Sequence, residues 1–347
     1  MAKAAVCVSI VTCNDEQYIE RCLEAVLAQS GVHLGVAVVD NASSDKTLEL
    51  VGKFRSHLRL IRNRHNAGFA AAQNQGIFSS EAPWVLVLNP DVLLQSDFVA
   101  ELLDAAASDP RVGTVCGKLL SIGKGFTKLA EARIDSAGMY FTPAMRHFDR
   151  GWREVDKGQY DRREYVFGAS GAAALYRREM IREISVEGEF FDSQFFVYRE
   201  DADVAWRAQL LGWRCLYTNT AVGYHVRTVT PVNRKAISPV FNMHSVKNRF
   251  LMRIKNLTPG VWNSCWAAMT MRDLLVIGGC LVREPRSLEA FWRVAQCWRR
   301  ARQQRQWIMS SRRVGDEELA RWFQFEPAAI PAEPGTGVRW STSLAAK

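Results

Sequence analysis

Four places in the chain carry side chains whose type and setting suit chemistry. The first is Leu88-Asn89-Pro90-Asp91, which closes the apolar run Pro83 to Leu88. Such a run reads as a strand buried on both faces, and Pro90 ends it because proline cannot donate to a central ladder. Asp91 then stands just past the carboxyl end of a central strand, where open α/β sheets bind ligands. A carboxylate there either bonds its own turn or holds a divalent cation against a diphosphate. The second place is Asp40, which ends the apolar run Val36 to Val39 and opens the polar turn Asn41 to Asp45. The third is Glu200-Asp201-Ala202-Asp203, three carboxylates in the first turn of a helix whose apolar face is Val204, Ala208 and Leu211. These acids complement the helix dipole, or one of them is an oriented proton acceptor. Helix N–H groups are expected to keep Asp201 ionised at neutral pH, with Glu200 and Asp203 as positioning or capping groups. The fourth is His225, closing the run Ala221 to Tyr224, where a single histidine at a strand end is often structural.

The elements that must position these groups alternate. Ala5 to Val11 reads as a first strand, and Asn14 with Gln17 as the start of a helix whose face is Ile19, Leu23, Val26 and Leu27. Val36 to Val39 and Leu58 to Ile61 read as strands around a helix that Ser44 can cap. A polar loop, Asn63 to Asn66, leads through Gly68 into a small-residue helix, Phe69 to Ser79. Then come the Pro83 strand, a helix around Phe98 to Leu103 and a strand from Val112 to Cys116. This spacing implies a largely parallel sheet with helices on both faces. From Ser121 to Arg163 periodicity fades, as in a loop-rich insertion or a pair of hairpins. Small residues between Val166 and Leu175 let backbone approach closely, and Gly212 stops the acidic helix before a strand at Trp213 to Tyr217.

At 347 residues the chain has room for two domains or one large α/β domain with an appendage, and 48% apolar with 23% charged residues is ordinary for a folded protein. A net charge of +9 is not ordinary and points to an anionic partner. The excess lies late: from Arg234 to Arg313 the only acids are Asp273, Glu284 and Glu289. No nucleic-acid module is recognisable, and acids in the candidate cleft would repel a phosphate backbone. Thr12-Cys13-Asn14-Asp15 stands where a dinucleotide-binding oxidoreductase needs its glycine-rich turn. Eight scattered Cys without a Cys-x-x-Cys pair fit reduced thiols in a cytosolic protein. The apolar stretch Leu274 to Val282 is far below the roughly 20 residues of a spanning helix, so no segment is expected to cross a membrane.

In order, Val39-Asp40-Asn41-Ala42-Ser43-Ser44-Asp45, Asn66-Ala67-Gly68-Phe69 with Asn74-Gln75-Gly76, Leu88-Asn89-Pro90-Asp91, and Tyr198-Arg199-Glu200-Asp201 ending at His225 resemble the inverting, GT-A-fold glycosyltransferases of the second glycosyltransferase family, rhamnosyltransferase-like bacterial members in particular. The resemblance spans about Val6 to His225. It implies a Rossmann-like α/β domain over residues 1–232, with a nucleotide-sugar half (1–117) and an acceptor half (118–232). A basic helical subdomain (233–326) and a flexible tail (327–347) follow. It implies that Asp40 accepts the imide N–H of uracil or thymine, that Thr12 and Asn14 line the nucleotide pocket, and that Asn66 and Gly68 let backbone approach the donor. Asp91 matches the last Asp of the family's Asp-x-Asp metal motif, with Asn89 in place of the first, and His225 is a further ligand for Mg²⁺ or Mn²⁺. Asp201 matches the general base, beside Glu200. The implied donor is dTDP-rhamnose, with UDP- and GDP-sugars or an inactive nucleotide-sugar binder as alternatives. The implied acceptor is polyprenyl-diphosphate-linked or a polysaccharide. Trp292, Trp298 and the arginines from Arg299 to Arg305 would attach the protein peripherally to the anionic inner face of a bacterial plasma membrane.

Overall fold

The computed structural model describes residues 5–227 and 239–324, so the boundary expected near residue 232 and the tail after residue 326 lie outside the described residues. Four parallel strands begin the sheet: β1 (Val6–Thr12), β2 (Leu34–Asp40), β3 (Arg59–Arg62) and β4 (Trp84–Leu88). They alternate with α1 (Ile19–Leu27), α2 (Thr47–Gly52) and α3 (Phe69–Ile77). After β4 the chain continues through β5 (Val92–Leu94), α4 (Phe98–Ala107) and β6 (Val112–Ser121). The sheet order is β10-β12-β6-β11-β4-β1-β2-β3, where β10 is Glu164–Val166, β11 is Ala173–Arg177 and β12 is Arg214–His225. All of these strands run one way except β10 and β11, the latter lying antiparallel between β4 and β6. The sheet is therefore mostly parallel with helices on both faces, and each face carries its own apolar cluster.

Register decides what meets at the carboxyl edge. Thr12 pairs with Asp40 and Ile10 with Leu88, so the loops after β1, β2 and β4 open side by side. At its far end β12 pairs antiparallel with β5, His225 opposite Val92, which brings the imidazole beside Asp91 across more than 130 residues. The segment expected as an insertion forms β7 (Ile134–Ser136) on the edge of β6 and a hairpin of β8 (Met139–Phe141) with β9 (His147–Asp149). Two expected caps are not made. Asn14 adopts φ 61° and bonds Ser44, leaving α1 without a side-chain cap. The amide of Thr47 is accepted by Asp45 rather than Ser44.

α5 (Arg178–Ile184) and α6 (Glu200–Leu210) pack with the C-terminal helices α7 (Pro239–Asn256), α8 (Pro259–Val282), α9 (Glu289–Ser311) and α10 (Asp316–Arg321). Leu251, Val261, Cys265, Ile308 and Leu319 from these helices share one apolar cluster with Trp206 and Phe190. Asp203, expected as a dipole or capping group, is instead fully buried. It accepts from Arg207 Nε (2.9 Å), Lys255 Nζ (3.0 Å) and Asn256 Nδ2 (2.7 Å), tying α6 to α7. α8 also departs from expectation. Its 24 residues run unbroken through Arg272 and Asp273 and are long and apolar enough to cross a membrane. The two central charges hid that length from a search for uncharged runs.

Removing one partner of a buried ion pair strands the other charge, at a typical cost of about 3–5 kcal/mol. Asp203→Ala should lower the urea midpoint accordingly, read by tryptophan fluorescence. A midpoint within error of the parent would show that α6 and α7 are held by apolar packing alone.

Candidate active site

The loops at the carboxyl edge enclose a cleft of about 510 Å³. One wall carries Cys13, Asp15, Asn41, Asn66, Asn89 and Asp91; the other carries Tyr198, Arg199, Glu200 and Asp201, with His225 and Arg227 between. Asp91, Asn89, Asn66, Gly68, Glu200, Asp201 and His225 are thus brought to one cavity.

His225 is the hinge of the charged cluster. Its Nε2 lies 3.3 Å from Asp91 Oδ1, and its Nδ1 lies 2.7 Å from Asp135 Oδ2. Asp135 also accepts from Arg227 Nε (2.6 Å), and Arg227 reaches Asp149 (2.6 Å). Burial opposes charge on the imidazole, but Asp135 and then Asp91 outweigh it and raise its pKa to about 10. Asp135 is held low, to about 2: burial acts against it, and His225 and Arg227 prevail. The donor set fits a divalent cation. One carboxylate oxygen and one imidazole nitrogen converge in the cleft with a second carboxylate on the far nitrogen, a recurring arrangement behind metal-bound histidines; a cation there would take the place of the Nε2 proton that otherwise faces Asp91. Among the described residues no group of three or more His, Cys, Asp or Glu gathers to hold a metal. A cation held by Asp91 and His225 therefore has coordination positions left for phosphate oxygens and water.

Around the second strand the side chains mostly build loops. Asn41 donates to Asn66 Oδ1 (2.8 Å) and accepts from Ala67 N (2.9 Å), while Asn66 accepts from Gly68 N (2.9 Å). Thr12 is buried with its hydroxyl on Asp15 (2.9 Å), and Asn14 is exposed and pinned to Ser44; neither lines the cleft. Asp40 is buried and is not among the residues lining the cleft; one oxygen accepts from Ser43 N (3.3 Å), and the other, Oδ1, has no hydrogen-bond partner among the described residues. Gly68 has φ +83°, and an added Cβ would lie 2.5 Å from the Phe196 ring. Its lack of a side chain thus serves contact with the opposite wall.

That wall is strained. Phe196, Tyr198 and Arg199 all have positive φ (64°, 68° and 72°), a conformation costing about 1–3 kcal/mol per residue. Asn248 on α7 holds it, its Nδ2 within 2.8 Å of the carbonyls of Phe195 and Val197 and 2.7 Å of that of Tyr198. The next residues begin α6. Asp201 accepts from Gly171 N (3.1 Å) and Ala202 N (2.7 Å). These bonds favour its ionised form, as expected, yet burial outweighs them and its pKa is raised. Glu200 is pushed up further, to about 8, by burial and by the adjacent Asp201, and its Oε2 has no partner. Of the two, Glu200 is thus the one whose neutral form is favoured at neutral pH.

Sequence reasoning missed Asp135, Arg227, Asp15 and Asn248. Asp135 lies in the stretch without periodicity, and Asn248 is an unremarkable polar residue on a helix. Asp15 has a pKa raised to about 6 by burial; it follows Asn14 in the loop after β1, a place that could have drawn attention.

Residues 7–185 match the family described as Glycosyl transferase family 2. An N-acetylglucosaminyl-diphospho-decaprenol L-rhamnosyltransferase of Mycobacterium tuberculosis is 26% identical over 231 residues, 62% of this chain and 74% of that protein. Among solved structures, GalNAc-T7 with UDP, GalNAc and Mn²⁺ aligns with a TM-score of 0.58 at 12% identity, over 77% of this chain and 51% of that one. This chain thus spans about half the length of that structure. TarS of S. aureus in complex with UDP-GlcNAc aligns at 0.54 and 16% identity, over 92% of this chain and 90% of that one. Both likenesses concern the fold, which is GT-A-like.

If Asp135 sets the ring of His225, Asp135→Asn should weaken Mn²⁺ binding by about 10–100-fold in calorimetry with a nucleoside diphosphate present. Equal affinity in the folded variant would mean that His225 is oriented without it.

Proposed function

This chain belongs to glycosyl transferase family 2, and on that basis we propose that it inverts an anomeric centre while moving a sugar from a nucleoside diphosphate to an acceptor hydroxyl during cell-surface glycan synthesis. The observation that carries the reading is one cleft with Asp91 and His225 in contact on one side and Asp201, on backbone N–H groups, on the other.

The buried, unpartnered Oδ1 of Asp40 supports its role as acceptor for the imide N–H of the base. Uracil and thymine present the same imide. Asn66 and Gly68 shape the loop against which the nucleoside lies, and Asn89 lines the cleft beside Asp91. Asp91 and His225 hold Mg²⁺ or Mn²⁺, which when bound neutralises charge developing on the leaving diphosphate. Asp201 takes the proton of the acceptor hydroxyl, a contribution of about 10²–10⁴-fold. The hydroxyl attacks from the face opposite the diphosphate in a single displacement, so configuration inverts and no carboxylate nucleophile is needed. Glu200 keeps its proton, so Asp201 does not compete with a second negative charge.

L-Rhamnose from dTDP-rhamnose is the donor favoured by the likeness to the mycobacterial rhamnosyltransferase, and the same likeness favours a polyprenyl-diphosphate-linked acceptor at the cytoplasmic face of the plasma membrane. A UDP-sugar is the second reading, since Asp40 serves uracil equally. A thermal-shift panel of nucleotide sugars with and without Mn²⁺ decides between them, because a bound donor raises the melting temperature by mass action.

Asp201→Asn keeps shape but loses basicity, so donor affinity should survive while turnover falls by about 10²-fold or more. Glu200→Gln imitates the protonated acid and should keep turnover within several-fold at pH 7. The parent's kcat/KM should fall, as pH drops, at a pH above the usual carboxylate range, because burial raises the pKa of the base. Near-normal turnover in Asp201→Asn would move the base elsewhere. Asp40→Ala should weaken binding of the free nucleoside diphosphate by about 1.5–3 kcal/mol, the worth of a charged acceptor. Unchanged calorimetry in a folded variant would remove Asp40 from the donor site.

A further inference from the structure

α8 is apolar around most of its circumference, and a helix of that kind is normally buried in protein or in lipid. Here only Val261, Cys265, Met269 and Cys280 are buried. Trp266, Met271, Leu274, Leu275, Leu281 and Val282 are all exposed, Val282 at 81% and Leu274 at 63%. At about 100° per residue these positions fall on one side of the helix, opposite the buried ones. Single exposed apolar residues need no explanation; a contiguous row along a helix does.

The helix is fixed along the body of the protein. Val261, Cys265 and Met269 belong to the cluster that contains Trp206 and Phe190, Gly260 N donates to Asp316 (3.1 Å), and Asp273 accepts from Arg249 (3.1 Å) and Arg253 (2.7 Å) on α7. Crossing a bilayer would require stripping Asp273 from both arginines and opening the core. Length and composition alone permit a span; these contacts favour a helix lying flat, one side on protein and the other outward.

Charge identifies what covers it. Arg283 and Arg286, exposed and directly after the apolar row with Glu284 between them, are followed by exposed Trp292 and Arg299, while exposed Arg293 pairs with Glu289 (2.7 Å). The arginines expected to do the attaching are partly spent inside: Arg300 pairs with Glu187 (2.6 Å) and Glu189 (2.9 Å), and Arg305 bonds the carbonyl of Ile254 (3.2 Å). Apolar residues with tryptophan at one side and arginine at the end match an interface of acyl chains below and phosphates above.

We propose that the outward side of α8 lies in the interface of an anionic lipid bilayer and that α8, with Arg283 and Arg286, is the membrane-binding element of this protein. The proposal rests on α8 alone and holds whichever sugar or acceptor is used.

Its test needs neither donor nor acceptor. The parent protein is floated with phosphatidylcholine vesicles, with and without 30% phosphatidylglycerol, beside Leu274→Ser/Leu275→Ser/Val282→Ser and Arg283→Gln/Arg286→Gln. All of these positions are exposed, so circular dichroism and melting should match the parent. The parent should bind vesicles containing phosphatidylglycerol, the triple serine variant at least tenfold less, and the double glutamine variant severalfold less. Brominated lipid should quench tryptophan fluorescence in the parent. Parent-like binding by the triple variant would overturn the proposal, as would equal binding to neutral vesicles. So would a parent oligomer that the triple variant turns into a monomer, since a second copy would then be the cover.

Discussion

The carboxylate of Asp203, buried among Arg207, Lys255 and Asn256, is the interaction on which the rest of the cleft depends. It lies two residues beyond Asp201, in the same helical turn, so whatever fixes Asp203 fixes the start of α6. Lys255 also reaches Asp192 (2.8 Å), and Asn248 holds the carbonyls of Phe195, Val197 and Tyr198 just before the helix. A strained loop persists only where its surroundings over-determine it, and here α7 and the start of α3, whose Ala70 N donates to the Phe196 carbonyl (3.2 Å), supply those surroundings. The basic C-terminal helices therefore bear directly on the chemistry: they hold one wall of the cleft.

The opposite wall is organised by strand register. Antiparallel pairing of β12 with β5 brings His225 to Asp91, and β7, paired on the edge of β6, contributes Asp135 to the far side of the ring. The result is a chain of alternating charges, Asp91, His225, Asp135 and Arg227, each partner holding the next. Asn89 lines the cleft beside a histidine whose orientation is fixed by a buried carboxylate. Gly68 joins the two walls, since the Phe196 ring occupies the space a side chain would take.

Burial outweighs helix polarity at Glu200 and Asp201, the first two residues of α6, and raises the pKa of both. Helix N–H groups lower a carboxylate's pKa, but only modestly against the cost of desolvating its charge. Two adjacent buried carboxyls cannot both ionise cheaply, and burial with the neighbouring Asp201 is what pushes Glu200 up to about 8.

The alternation of apolar runs and helical faces, the proline stop before Asp91 and the acidic turn at Glu200 are local patterns, so the sequence by itself determined the sheet, its helices and the main acids of the cleft. It also announced a basic, aromatic C-terminal region. Contacts across long separations were beyond it: the insertion of β11 between β4 and β6, the meeting of His225 with Asp135, the clamp from Asn248, and the burial that turns Asp203 from a cap into an anchor. The same holds for α8, whose central Arg272 and Asp273 look like an interruption until α7 is seen to satisfy Asp273 with two arginines. Periodicity reports which face of an element is apolar. Which other element covers that face, and which charges it neutralises there, is set only when the chain closes on itself.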